Sequence, residues 1–106
     1  MAEVMTIEDL RGRIDVIDDQ LVRLLNVRVA CAVEVGRLKR EVGLPIYQPD
    51  REARVLESVR RSATDLAGPL TAEALVRIFE RIVDEARRAE RAASVRGDGA
   101  GPSIGE

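Results

Sequence analysis

An all-α fold is predicted, with three helices per chain and a long first helix that pairs with a second copy of the chain. Three observations carry this. Apolar residues recur in two columns with a seven-residue step, Ile7, Ile14, Leu21 and Val35 in one and Leu10, Ile17, Leu24, Cys31 and Leu38 in the other. This is the a/d seam of a helix packed along its whole length on another helix. Two punctuation marks, Gly43 with Pro45 and the pair Gly68-Pro69, divide the rest of the chain into two further segments of helical period. Finally, a first helix of about 35 residues would be roughly 53 Å long at 1.5 Å per residue. A compact chain of this size has a radius of gyration of only about 13 Å. Two shorter helices of the same chain cannot cover such a seam, so a homodimer with paired long helices is expected.

The elements follow in order. Thr6 is a suitable N-cap with Asp9 three residues on, and no Pro interrupts the pattern from there to Glu41. Gly43 suits the C-terminal cap and Pro45 the stop. A connector, Val42 to Gln48, leads to Pro49 in the first turn of a second helix, which presents Val55, Leu56 and Val59 and is expected to end near Ala63. Thr71 can cap a third helix whose stripe runs Leu75, Ile78, Phe79, Ile82, Val83 and Ala86. After Ala93 come four of the chain's eight Gly residues, so 93–106 is expected to be a disordered tail behind a single domain, 1–92.

Composition removes whole classes of function. The 106 residues include no His and one Cys, which excludes a Ser-His-Asp triad, a Cys-His dyad, a His-metal site and a structural zinc site. Aromatic residues are 2% of the chain and the net charge is −2, so no nucleic-acid partner is expected. No secretory signal is visible at the start, and the longest apolar run, Val29 to Val33, is too short for a membrane span. A cytoplasmic protein with Cys31 as an inert thiol in an apolar setting is the expectation. Of the 17 basic residues, 16 are Arg and only Lys39 is Lys.

Several charges stand in unusual places. Arg28 interrupts the first heptad column, and an unpaired charge in a core seam costs several kcal/mol. It needs an anion, which is either a carboxylate of the protein, with Arg28 fixing the register of the seam, or a ligand. A ligand carboxylate suits the planar guanidinium fork, which binds it through two hydrogen bonds. Arg11 and Lys39 each stand four residues after a seam position, either as solvated flanks or as parts of a site. They are roughly 42 Å apart along one helix, so they cannot serve one small site from one chain. In an antiparallel pair, the Arg11 end of one helix meets the Arg28 and Lys39 end of the other, which places a cationic pocket at each end of a two-fold dimer. Asp50, Arg51 and Glu52 open the second helix, where acids are ordinary dipole partners. Glu90 continues the stripe of the third helix, as a solvated end or as a pocket residue.

The run Leu10-Arg11, Ile14, Ile17-Asp18, Leu21, Leu24-Leu25, Arg28, Ala32-Val33-Glu34-Val35-Gly36, Lys39, Pro45 and Arg51-Glu52 resembles the all-helical, AroQ-class chorismate mutases. Ile78-Phe79 to Ile82 resembles that family's last helix, and the likeness covers about residues 5 to 91. The resemblance implies an intertwined homodimeric helical bundle that converts chorismate to prephenate by an intramolecular Claisen rearrangement, without cofactor or metal. It implies that Arg28, and Arg11 from the other chain, bind the substrate carboxylates. Lys39 would donate to the ether oxygen, Glu52 would hold the ring hydroxyl, and Arg51 would orient a carboxylate or the nearby acids. Glu90 stands where the family commonly has Gln as a second donor to the ether oxygen, and an ionised Glu cannot donate, so it would act protonated. Gln48 stands where many members have Asp, and Ala86 where many have Ser.

Two other reactions on the same fold, an isochorismate pyruvate-lyase and an aminodeoxychorismate mutase, would use a similar cationic pocket. Outside enzymology, a helical dimerisation or regulatory module is the alternative, but a packing module has no reason to keep Arg28 in its seam. The sequence identifies no activating partner enzyme.

Overall fold

A computed structural model describes residues 4–96 of the chain. Three helices are present, α1 (Ile7–Val42), α2 (Pro49–Leu66) and α3 (Ala72–Arg96), and there is no strand among the described residues. α1 begins with a capping box. The Asp9 N–H donates to Thr6 Oγ1 at 3.0 Å, and the Thr6 N–H donates back to Asp9 Oδ2 at 3.1 Å. The backbone donor at Thr6 holds the Asp9 carboxyl below its usual range. α1 ends at Gly43, whose φ of 76° is left-handed and suits a residue without Cβ. The Leu44 N–H then closes on the Lys39 carbonyl at 2.8 Å, turning the connector back toward the helix it has left.

Pro49 opens α2 as expected, but the helix runs past Ala63 to Leu66, with Ala67 left-handed as its cap. Ala63 is buried and extends the stripe Leu56, Val59, Ala63, and no breaker follows it before Gly68. Thr71 caps α3, its Oγ1 accepting from the Ala74 N–H at 3.0 Å. The inward stripe of α3 is Val76, Phe79, Val83, Ala86, Glu90 and Ala93, so Ile78, expected in it, is exposed instead. Those six positions advance by three or four residues, the spacing of one helix face, whereas Ile78 stands two residues from Val76 and faces away. α3 also continues to Arg96. Residues 93–96, expected in the tail, are helical, because Ala93 is packed at 2% exposure and holds the last turns down. The rest of the expected tail, 97–106, lies outside the described residues.

α3 packs on both α1 and α2. Its neighbours on α1 lie beyond Val27, since every described residue from Val4 to Val27 is exposed. Among the described residues the buried apolar ones are small, Ala63, Val76, Ala86 and Ala93, and no large side chain is fully buried. The seam residues of α1 remain open to solvent, with Ile7 at 69% and Leu24 at 65% exposure. The radius of gyration is 18.3 Å, well above the ~13 Å of a compact chain of about 100 residues. The single chain is a long arm with a small packed end, and the site lies in that end.

Candidate functional site

Four elements enclose a cavity of about 250 Å³ at the packed end. α1 contributes Arg28, Cys31, Ala32, Val35 and Lys39, whose spacing of three, four, seven and eleven residues from Arg28 keeps them on one helix face. The connector adds Ile46 and Gln48, the first turns of α2 add Arg51, Glu52 and Val55, and α3 adds Val83, Ala86, Arg87 and Glu90. Seven of the residues singled out in the sequence therefore share one cavity: Arg28, Lys39, Gln48, Arg51, Glu52, Ala86 and Glu90. Arg11 is absent from it. It lies on the exposed arm, 17 residues before Arg28, or about 26 Å along the helix.

Lys39 is held from two sides. Its Nζ donates to the Ile46 carbonyl at 2.9 Å and stands 3.8 Å from Glu90 Oε1. The αL turn at Gly43 supplies the first contact, because it brings the connector back over the last turn of α1. Glu90 is 8% exposed, and its Oε1 is buried with no hydrogen-bond partner among the described residues. Gly36 makes room for it, since a Cβ there would stand 3.2 Å from Glu90 Oε1 and 3.3 Å from its Cγ. Burial pushes the Glu90 carboxyl above its usual value. The cations Lys39, Arg87 and Arg40 oppose this and the Glu52 carboxylate reinforces it, with desolvation prevailing. Glu90 is thereby biased toward the protonated form, in which it can donate.

Arg28 has no ion pair or hydrogen bond among the described residues, so the reading in which a protein carboxylate neutralises it is not realised within the chain. It lines the cavity, as does Cys31. Cys31, expected in an apolar setting, is exposed on the cavity wall, because nothing in the single chain covers that side of the seam.

Sequence reasoning passed over Arg87. Its Nη2 donates to Glu52 Oε1 at 3.0 Å and to Asp84 Oδ1 at 3.3 Å, and its guanidinium carbon lies 4.9 Å from the centre of the Tyr47 ring. It joins α3 to α2 and to the connector at the rim of the cavity. The available signal was helical spacing, since position 87 completes the set 83, 86, 87 and 90 on the face that carries Ala86 and Glu90. The cavity thus holds four cations, Arg28, Lys39, Arg51 and Arg87, against two carboxylates, one of them biased toward neutrality. That imbalance suits a small dianion.

Comparison with known proteins gives a family match over most of the chain. The family described as chorismate mutase type II matches residues 10–91. A bifunctional chorismate mutase/prephenate dehydratase of Aquifex aeolicus is 37% identical over 78 residues, covering 73% of this chain and 22% of that protein. The T-protein of Haemophilus influenzae is 34% identical over 85 residues, covering 80% of this chain and 22% of its own length. A chorismate mutase of Methanocaldococcus jannaschii is 32% identical over 53 residues, covering 50% of this chain and 54% of that protein. The chain therefore spans about a fifth of the length of the first two relatives and about half of the third. No solved structure matches it.

Proposed function

Because the chain belongs to the type II chorismate mutase family, we propose that it rearranges chorismate to prephenate in a cavity completed by a second copy of itself. The observation that carries this reading is the composition of the cavity. Three cations suited to a dicarboxylate, Arg28, Lys39 and Arg51, stand around about 250 Å³ with two carboxyl groups, Glu52 and Glu90. The reaction breaks the ether C–O bond and forms a C–C bond within one molecule, so it needs no nucleophile. It needs a compact substrate conformer and stabilisation of the negative charge that develops on the ether oxygen.

Positioning is the task of the arginines. Arg28, uncommitted within the chain, takes one substrate carboxylate, and Arg11 of the second copy takes the other. Arg51 orients the carboxylate end, while Glu52 accepts from the ring hydroxyl with Gln48 beside it. Holding the reacting carbons in contact removes an entropic barrier that is worth several kcal/mol in well-oriented intramolecular reactions, up to roughly 7–11 kcal/mol. Lys39 and protonated Glu90 donate to the ether oxygen. Lys39 is already aimed by the Ile46 carbonyl, so little reorganisation is needed as the bond breaks. Ala86 offers no hydroxyl and serves as a close-packed wall.

The exposed seam supports the second copy. Ile7, Leu10, Ile14, Ile17, Leu21 and Leu24 are all exposed in one chain. An antiparallel, intertwined pairing covers them and carries Arg11 to the partner's cavity. The test follows chorismate consumption by the purified protein and by Arg28→Ala. Rapid consumption by the first and a loss of at least about 100-fold in kcat/KM for the second are expected, about 2.7 kcal/mol. An inactive parent protein, or a variant of equal activity, would overturn the reading.

A further inference from the structure

The residue that the mutase reading leaves without a task is Arg87, and its geometry bears on which substituent the cavity accepts on the substrate ring. Glu52 is the one carboxylate at the α2 side of the cavity, and Arg87 Nη2 already occupies its Oε1 at 3.0 Å. Gln48, one helical turn earlier and bonded to Glu52 through the backbone at 3.1 Å, lines the same side without a charge. Glu90, on α3, already faces Lys39 Nζ at 3.8 Å, and burial pushes its carboxyl up from the usual value. Arg87 is itself fixed, clamped by Asp84 at 3.3 Å and stacked on Tyr47 at 4.9 Å, so it cannot readily swing away from Glu52.

From this arrangement we infer that Arg87 is a positioning residue that sets substrate choice: paired with Glu52, it makes the cavity take a neutral ring hydroxyl and reject an ammonium. The inference rests on the mutase reading and on Glu52 as the acceptor of that hydroxyl. A hydroxyl needs only one acceptor oxygen. Glu52 Oε2 supplies it, and the guanidinium on Oε1 holds the carboxylate in place. An ammonium needs an uncompensated negative charge, and here it would meet an ion pair whose cation repels it. The one further carboxyl lining the cavity, Glu90, is already paired with Lys39 at 3.8 Å, while Arg28 and Arg51 add to that repulsion.

The experiment measures kcat/KM for chorismate and for the analogue carrying an amine in place of the ring hydroxyl, at neutral pH where the amine is an ammonium. It uses the parent protein, Arg87→Met, Arg87→Gln and the charge-preserving Arg87→Lys, each checked for helical circular dichroism. The parent is expected to prefer the hydroxyl. In the Met and Gln variants the amine-to-hydroxyl ratio of kcat/KM should rise by at least about tenfold, a change of about 1.4 kcal/mol. In Arg87→Lys it should stay near the parent's value. Merely structural damage lowers both substrates together and leaves the ratio unmoved, and that result overturns the inference. A parent that rearranges both substrates equally well also overturns it, even if the neutral variants do not fold. If the parent rearranges neither, the mutase reading itself fails and this inference falls with it.

Discussion

Replacing Glu90 by Gln tests how a carboxyl group can serve where a hydrogen-bond donor is required. In the folded chain Glu90 is 8% exposed, its Oε1 has no hydrogen-bond donor among the described residues, and desolvation raises its pKa against the pull of Lys39 and Arg87. In the proposed mechanism the protonated carboxyl donates to the ether oxygen. Ionised, it cannot donate, and it also competes for Lys39 Nζ at 3.8 Å. The fraction of donor falls about tenfold for each pH unit above the Glu90 pKa, so kcat should fall with the same limiting slope. Loss of one such donor costs about 10²–10³-fold in turnover, which sets the floor of the decline. Glu90→Gln keeps an N–H donor at every pH. Its kcat profile should therefore be flat where the parent declines, measured by stopped-flow or steady-state loss of chorismate absorbance. Stability should move in the same direction. The folded pKa is raised, so the folded state holds the proton more tightly than the unfolded one. The stabilisation this provides is full below the unfolded value of 4.5 and is lost as pH rises through the folded pKa. Urea unfolding of Glu90→Gln should lack that loss. If the variant keeps the parent's alkaline decline in kcat, Glu90 has no part in the chemistry.

Further outcomes follow from other contacts. Lys39→Ala should lower kcat by about 10²–10³-fold with a smaller change in KM if its Nζ donates to the ether oxygen as proposed; near-normal turnover in steady-state assays would exclude that role. Leu21→Asp places a charge in the exposed seam. Analytical ultracentrifugation should show loss of dimer together with loss of activity, and an active monomer would contradict both the pairing and the shared Arg11. Gly43→Ala forces a side chain into the φ of 76° that closes α1, at a cost of about 1–2 kcal/mol measured by urea unfolding. It should also disturb the connector that holds Lys39, so kcat should fall in parallel.

The exposed seam also bears on how the proposed site would be completed. No large side chain is fully buried among the described residues, and the packed end is held by Ala63, Val76, Ala86 and Ala93. Burial of apolar area stabilises by about 25 cal/mol per Å², and most of the apolar area of α1 is still exposed. The proposed pairing would bury that area and complete the cavity with Arg11 in a single event, so folding and formation of the site would be one equilibrium that depends on protein concentration.

What could be read in the sequence was what depends on near neighbours along the chain. The capping box at Thr6 and Asp9, the Gly43 stop, Pro49 in the first turn of α2 and the Thr71 cap are local hydrogen-bond and backbone preferences. The heptad columns, the misplaced Arg28 and the lone Lys39 also needed only helical period to be noticed. Tertiary structure alone decided who meets whom across helices. It buried Glu90 against Gly36 and so raised its pKa, carried α2 past Ala63 and α3 through Ala93, and turned Ile78 outward. It also brought Arg87 to Glu52, 35 residues away, and over Tyr47. Those contacts depend on the register and rotation of α3 between its two neighbours, which are set by the packing of many side chains at once and leave no mark in any local stretch of sequence.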